Sequence, residues 1–523
     1  MTTETYPILL EDGSGDAWLF EDGTEIWWRT PERLRWLFEV DWDNDLAFAL
    51  SDEFNEAKNR LQEIVVRRGH RTFMAAGGKG FEPVPPGQCV VKLLDEDGRY
   101  NPYNTDSDLY PNVQPRRYAR LRVLDADEND MYDIFAGYIS RIEFVSTVST
   151  NFAYFYMEDG LAWIDEQSFV GDLETEIKAS EDSDSAIQTI LDGINWPHGY
   201  SLQDSGDAFP YWWTWPSNSA LQSINDITMP LAMKSFIAAD GEFICYSPYR
   251  FDASVLSLDE NDVSGEINLP NPREVVRNLV TYAARGRIEQ AGGTVWELDG
   301  PIRILADETI TIWGTYNYGQ IACPADNVAN PTKTANVDAD GGGADITADI
   351  DIVTTKYATT IKFVITNSGL SDGYITAMGV LGNAVTAQNV TFLRQEDTDS
   401  QDDFGILELA IDNDLMQDAG AGKDIANWIL ANLSDPHPFP TITIIGRPTE
   451  QFTPDLFSRI DVALSDLYVE GTFEIGYIEH QFLGSGCAQT VATKFILEPA
   501  QTISSAKWQF PTIASRTSVL TDT

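Results

Sequence analysis

Residues 93–142 hold the segment LLDEDGRYNPYNTDSDLYPNVQPRRYARLRV (93–123) and, further on, FAGYISRI (135–142). In Arg120–Val123 the leucine and valine face one way and the arginines the other, and Phe135–Ile142 is rich in aromatic and β-branched residues. Both read as strands. Ahead of them Asp97-Gly98, Asn101-Pro102, Tyr110-Pro111 and Gln114-Pro115 punctuate the chain rather than continue a helix. The segment is a long, proline-stiffened loop over a β-barrel or sheet, and it contains no catalytic dyad.

The remaining chain supplies the context. It has 523 residues, too many for one core, and three or four domains are expected. With 43% apolar and 11% aromatic residues it can bury substantial cores. The opening Met1–Asp16 is acidic, so no secretory leader is expected, and no apolar run approaches the roughly 20 residues of a membrane span.

Charge is the second strong signal. The balance of 34 basic against 82 acidic residues gives −48. The acidity is distributed, as in Asp41–Asp45, Asp125–Asp130, Glu181–Asp184 and Asp397–Asp403, rather than gathered in a tail. Arginine outnumbers lysine roughly two to one. Such a surface repels itself in dilute salt and is screened in brine, where the Debye length falls to about 3 Å at 1 M. This points to a salt-loving source; a mesophilic protein with a basic partner is the alternative. No basic stripe exists to release counterions from DNA, which argues against sequence-specific nucleic-acid binding. An acidic wall would instead let duplex DNA slide past without sticking.

Organisation follows from changes of period. Residues 1–30 carry two Glu-Asp-Gly units around Trp18, Trp27 and Trp28 and read as an N-terminal arm or edge hairpin. Residues 31–164 are strand-dominated. Residues 165–270 form a small α+β domain. It has one helix from Ser183 to Gly193, a second from Ser217 to Met229, and a hairpin around Asp240-Gly241. A further β region covers 271–310 and 396–500. In it Arg277–Ala283 is expected to pair with Thr441–Ile445, Arg459–Ala463, Gly471–Gln481 and Thr493–Leu497. Residues 311–395 show short strands at regular spacing, the pattern of a β-sandwich. One long helix is expected over Leu415–Leu433, ended by Pro436, Pro438 and Pro440. Residues 501–523 form a polar C-terminal tail.

The order of motifs resembles a known family. Strand, D-G-R-Y-N-P (97–102), S-x-L-Y-P-N-V-x-P-x-R (107–117), strand, then F-x-G-Y-I-x-x-I (135–142) resembles the N-terminal barrel of tail hub proteins (minor tail, baseplate hub) of long-tailed, non-contractile viruses. VITNSGLSDGYITAMGVLG (364–382) looks like an insertion carried inside the second barrel of many such proteins. SQDDFG (400–405), the helix before D-P-H-P (435–438) and IGYIEHQFLGSG (475–486) continue the series. Each block is moderately specific. The resemblance is thin before residue 60 and absent after 505. On the residues alone, the alternative reading of the opening segment is an ordinary loop of an unrelated β protein.

The resemblance implies a mainly β protein with two hub-type β-barrels, an α+β domain between them and an inserted β-sandwich. It implies a structural role at the virion tail tip, with the chain as a homo-oligomer, a trimer forming a pseudo-sixfold ring. That ring would join the tail tube to fibres or tip and let DNA pass. Its neighbours would be the distal tail ring, the tape measure and the tail fibres. Distributed acidity adds a halophilic host, archaeal or bacterial. Tyr100, Tyr110, Arg116 and Arg117 are the expected contacts with a subunit or neighbour.

Other candidate sites are weaker. Asn336-Val337-Asp338-Ala339-Asp340-Gly341 resembles half of an EF-hand loop, making Asp338, Asp340 and Asp345 the candidate metal ligands. However, Thr347 occupies the twelfth position, where a bidentate Glu belongs, and a Gly/Asp turn is the simpler reading. His70, His198, His437 and His480 are isolated, and the four cysteines lack C-x-x-C spacing. AAGGKG (75–80) lacks the spacing and hydroxyl of a phosphate loop. Carboxylate pairs arise by chance in so acidic a chain, so no enzyme and no cofactor is expected. The run Tyr211-Trp212-Trp213-Thr214-Trp215 leaves three options open: core anchor, protein interface centred on Trp212, Trp213 and Trp215, or carbohydrate contact. The alternative function is accordingly a receptor- or carbohydrate-binding tail protein working through the sandwich, and a secreted glycosidase of a halophile is a third option without a motif.

Overall fold

Alternation of apolar and polar residues builds the first β unit. Cys89, Val91 and Leu93 in Gln88–Leu94 lie opposite Met157, Phe155 and Ala153 in Asn151–Glu158, and all six are fully or almost fully buried. Each such side chain contributes about 1.5–3 kcal/mol when it is one of the larger apolar residues. Six antiparallel strands pair in the order Leu61–Gly69, Gln88–Leu94, Asn151–Glu158, Met131–Ser146, Tyr118–Leu124 and Arg35–Val40. The computed structural model describes residues 34–46, 48, 55–57, 60–70, 83–124, 130–147, 150–168, 175–206, 208–215, 218–250, 252–483 and 490–500, with the short antiparallel strands Trp18–Leu19 and Glu25–Ile26. The A-A-G-G-K-G run, Cys487, Trp28 and the tail 501–523 lie outside the described residues.

Leu121 and Val123 point into the first core, as their alternation requires. The arginines on the other face are not left to solvent. Arg120 and Arg122 both donate to the buried Glu39 carboxylate on the neighbouring strand, Nε to Oε2 at 2.7 and 2.9 Å. Charge-assisted bonds of this kind are about twice as strong as neutral ones.

The second β unit is welded to the first. The strand Val469–Leu483 pairs along one edge with Arg459–Leu464 through its first half and with Leu61–Gly69 through its second, while Thr490–Pro499 runs along its other edge. Leu256–Asp259 extends the sheet in parallel with Arg459–Leu464, and Thr441–Ile445 pairs with Thr490–Pro499. The result is one eleven-stranded sheet. The shared strand serves two cores. Phe473, Ile475 and Ile478 pack with the second unit, whereas Phe482, with Val491 and Phe452, packs with the first. At the crossover His70 N donates to Gly476 O at 3.0 Å. Gly69 there has φ +83°, and a Cβ on it would stand 2.2 Å from that same oxygen. Only glycine fits such a position.

The α+β region contains the helices Ser183–Gly193 and Ala220–Thr228 and the hairpin Lys234–Ile237/Phe243–Tyr246, as its sequence predicts. The second helix starts later than expected because Ser219 caps it, accepting from Gln222 N at 3.0 Å. A third helix, Gly160–Glu166, is capped by Asp159. These helices, the hairpin and the second β unit share one hydrophobic core, so they are not separately cored domains.

Two expectations change. Leu279–Ala284 does not pair with the strands after 440. It forms a three-stranded sheet with Thr391–Glu396 and Glu408–Asp412, backed by the helix Ala419–Leu433. Alternation alone cannot choose between partners of equal polarity pattern. The long helix begins at Ala419 rather than 415 because Asp418 caps it, accepting from Gly420 N at 2.7 Å.

The sandwich also begins earlier than 311. Gly373–Ala387 pairs with five short strands, Arg287–Glu289, Gly293–Glu297, Ile302–Ile304, Ala325–Asp326 and Thr332–Asn336. Thr309–Thr315, Thr360–Asn367 and Ile350–Lys356 form the facing sheet. A separate core, including Val295, Phe363, Ile365 and Val380, fills the space between. Among the described residues no helix is long and apolar enough to cross a membrane.

Buried charges tie the α+β region to the sheet. Glu474 meets Lys234 Nζ at 2.7 Å, Arg459 Nε at 3.3 Å and Arg250 Nη2 at 3.4 Å, all four side chains being buried. Burial alone would raise the Glu474 carboxyl, but Lys234, Arg250 and Arg459 outweigh it and bring it down to about 2. Arg68 completes the tie through Asp455 (2.5 Å) and the carbonyl of Ile237 (2.5 Å).

Candidate assembly surface and cavities

The proline-stiffened loop is anchored from below. Tyr100 is fully buried, its hydroxyl donating to Glu56 at 2.7 Å and its ring meeting Phe155 edge-on at 5.3 Å. Burial, then the Glu56 charge, pushes the phenol well above its usual range. Glu56 also accepts from Arg99 and from Trp42 Nε1 (3.1 Å). Arg60 grips Asp97 with two bonds of 2.8 and 2.7 Å. Backbone bonds from Asn101 N to Gly98 O, Asn104 N to Asn101 O, Ser107 N to Asn104 O and Tyr110 N to Ser107 O then wind the loop as successive turns. Leu109 and Val113 plug it into the first core.

What remains outside is a small set of side chains. Tyr103 is 89% exposed and Tyr110 48%. Arg116 is exposed and pairs with Glu166 at 3.0 Å, and Arg117, partly buried, donates to Asn112 O at 3.2 Å. Tyr100 therefore has to be removed from the expected contact set: its ring is part of the core of the first β unit. Tyr103, absent from the residues expected at a contact, is the most accessible aromatic of the loop. Asn-Pro-Tyr carries no local signal that separates an exposed ring from a buried one.

The aromatic run divides in the same way. Trp212 and Trp213 are buried, so neither offers a surface to a partner, whereas Trp215 is partly exposed. Trp213 backs Trp215 at 5.1 Å between ring centroids, and the Arg287 guanidinium caps Trp213 at 4.5 Å. Trp215 lies at the junction of two cavities. One, about 610 Å³, is lined mainly by apolar groups, among them Tyr318, Ile321, Pro324 and Val385, together with Arg287. The other, about 400 Å³, is polar, with Asn218, Asp226, Arg285, Asp412, Asn413 and Asp414. Arg285 holds Asp412 with two bonds of 2.9 Å and reaches Asp414 at 3.3 Å. Asp226 is pushed up to about 6 by burial and by the Asp414 charge, against a hydrogen bond from Asn218 at 2.9 Å.

The EF-hand-like loop uses its side chains locally. Gly342 N donates to Asp340 Oδ1 at 3.0 Å and Thr347 N to Asp345 Oδ1 at 2.8 Å, while Thr347 Oγ1 accepts from Ala335 N at 2.9 Å. Gly341 and Gly343 take positive φ around Asp338. Among the described residues no three His, Cys, Asp or Glu side chains are grouped to hold a metal ion. Cys89, Cys245 and Cys323 are buried free thiols, pushed upward by desolvation.

No family model and no curated relative matches the chain. Among solved structures it is similar to the tail protein from Neisseria meningitidis MC58, with 8% identity over 89% of this chain and 97% of that one and a TM-score of 0.48. It is also similar to the 43 kDa tail protein of prophage MuSo2 from Shewanella oneidensis, with 10% identity over 90% and 99% and a TM-score of 0.46. Prophage tail protein gp18 from Listeria monocytogenes EGD-e gives 7% identity over 90% and 95% and a TM-score of 0.41. None of the three reaches a TM-score of 0.5, so a role for this chain has to come from its own residues.

Proposed function

We propose that this chain is a structural tail hub protein of a tailed virus, assembling as a ring at the tail tip. The ring joins the tail tube to fibres or a tip and lets DNA pass. The observation that carries the reading is the strand Val469–Leu483, which hydrogen-bonds two β units into one sheet and packs into both cores. Two β units held rigidly in one protomer are what a threefold ring needs to present a pseudo-sixfold face to a tail tube. The strands that flank the 97–117 loop and the strand that begins the 475–486 block belong to this same sheet, while the 364–382 block lies in the sandwich. The net charge of −48 supports a brine setting, a halophilic host, and an acidic wall that does not retain DNA. The distal tail ring, tape measure and tail fibres are the partners this role implies.

The loop supplies the test. Tyr110 and Arg116 are accessible on an anchored base, a rigid presentation that suits an interface. The double variant Tyr110→Ala, Arg116→Ala is expected to weaken trimer formation in sedimentation velocity at molar salt while the protomer keeps its folded spectrum. Unchanged assembly would remove this loop from the subunit contact.

A further inference from the structure

We propose that the paired cavities meeting at Trp215 form a binding site for a neutral saccharide, deepening the receptor- or sugar-binding alternative and not resting on ring assembly. Three observations carry it. The larger cavity, about 610 Å³, lies in the size range of small-molecule sites and presents aromatic and aliphatic faces, with Tyr318 48% and Ile321 73% exposed at its mouth. Such faces stack on the C–H side of a pyranose ring. Trp215 itself is pre-set, since the buried Trp213 supports it from behind and Arg287 fixes Trp213 in turn.

The adjoining cavity supplies the opposite chemistry. Carboxylate, amide and guanidinium groups of Asp226, Asp414, Asn218 and Arg285 stand together there, and such groups donate to or accept from ring hydroxyls. Three carboxylates against one guanidinium in that lining leave it acidic, which disfavours phosphate or acidic glycans and suits an uncharged polyol.

The test uses the full chain and isothermal titration against neutral hexasaccharides of glucose, mannose and N-acetylglucosamine, with a polyuronate and inorganic phosphate as acidic probes. Saturable binding of at least one neutral hexasaccharide is expected, weakened about tenfold or more by Tyr318→Ala and by Trp215→Ala. Tyr318→Ala changes an exposed side chain, so it keeps the test valid should Trp215→Ala fold poorly. Tyr468→Ala, 97% exposed elsewhere, is expected to bind as the parent does. The proposal is overturned if no neutral hexasaccharide binds at millimolar concentration, if Tyr318→Ala binds unchanged, or if an acidic probe binds more tightly. Release of new reducing ends would also overturn it, replacing a binding site with a hydrolytic one.

Discussion

Among the described residues, the sandwich over 287–387 buries no charged side chain, whereas the body around it buries Glu39, Glu56, Arg68, Arg122, Lys234, Arg250, Arg459 and Glu474. The two regions are held by different means. In the body, ion pairs join segments far apart in the chain, such as Lys234 to Glu474 and Arg68 to Asp455. A misplaced strand would strand a charge in the interior, which makes these pairs devices of register more than sources of net stability. In the sandwich one strand, Gly373–Ala387, gathers five partners, and apolar packing such as Trp296 on Phe363 (4.7 Å) fills the space. The body is therefore held in register by buried ion pairs, and the sandwich by apolar packing around one central strand.

The largest effect that separates them is expected from Glu474→Ala. It leaves Lys234, Arg250 and Arg459 facing each other in the interior and is expected to cost about 3–5 kcal/mol by urea denaturation. A loss under about 1 kcal/mol would break the comparison from the body's side. In the sandwich, Ile375→Ala opens a cavity at a fully buried position and is expected to cost about 2–5 kcal/mol. That loss should be confined to amide protons of 287–387 in hydrogen exchange.

Acid should then divide the regions without mutation. His480 is buried at the weld beside Thr493 (2.9 Å), and burial, then the Arg68 charge, holds it neutral down to about 3. Burial likewise lowers His198 to about 4. Both folded values lie below the unfolded histidine value near 6.5, so the unfolded state binds the extra proton first. The stability they contribute is complete above that value and falls as the pH drops toward the folded ones. Taken by itself, His480 is expected to cost the body about 2 kcal/mol between pH 7 and pH 5, while Asp159, whose carboxyl burial raises to about 7, shifts stability the opposite way over the same range. The difference between the parent and His480→Gln over that range should recover the histidine contribution. The sandwich has no histidine, so exchange within it should not follow the same pH dependence. The smallest effect is expected from Asp418→Ala, which removes one helix cap at a cost of about 0.5–2 kcal/mol in a thermal melt.

Much of the frame is legible in the sequence, because alternation and turn chemistry are local. The strands at 441–445 and 459–464, the helix at 183–193 and the Asp240-Gly241 hairpin all follow from neighbours in the chain. Partnership is not local. Nothing near Leu279–Ala284 says that it pairs with 391–396, and nothing near Tyr477 says that the strand leaves one unit to enter another. The candidate sites show the same limit. Tyr100 and Tyr103 stand in the same turn-rich loop, yet one is buried against Glu56 and the other exposed, because burial depends on a segment more than forty positions away. The cavity at Trp215 draws Arg285, Asp226 and Asp414 from three separate segments and leaves no motif.

The most direct test of the central claim is electron microscopy of the purified chain in molar potassium chloride, with class averages counting the copies in each particle. A ring of three protomers, each showing two β lobes toward one face and the sandwich toward the outside, is the expected result. Single protomers at high protein concentration, or a ring of any other copy number, would rule out a threefold hub.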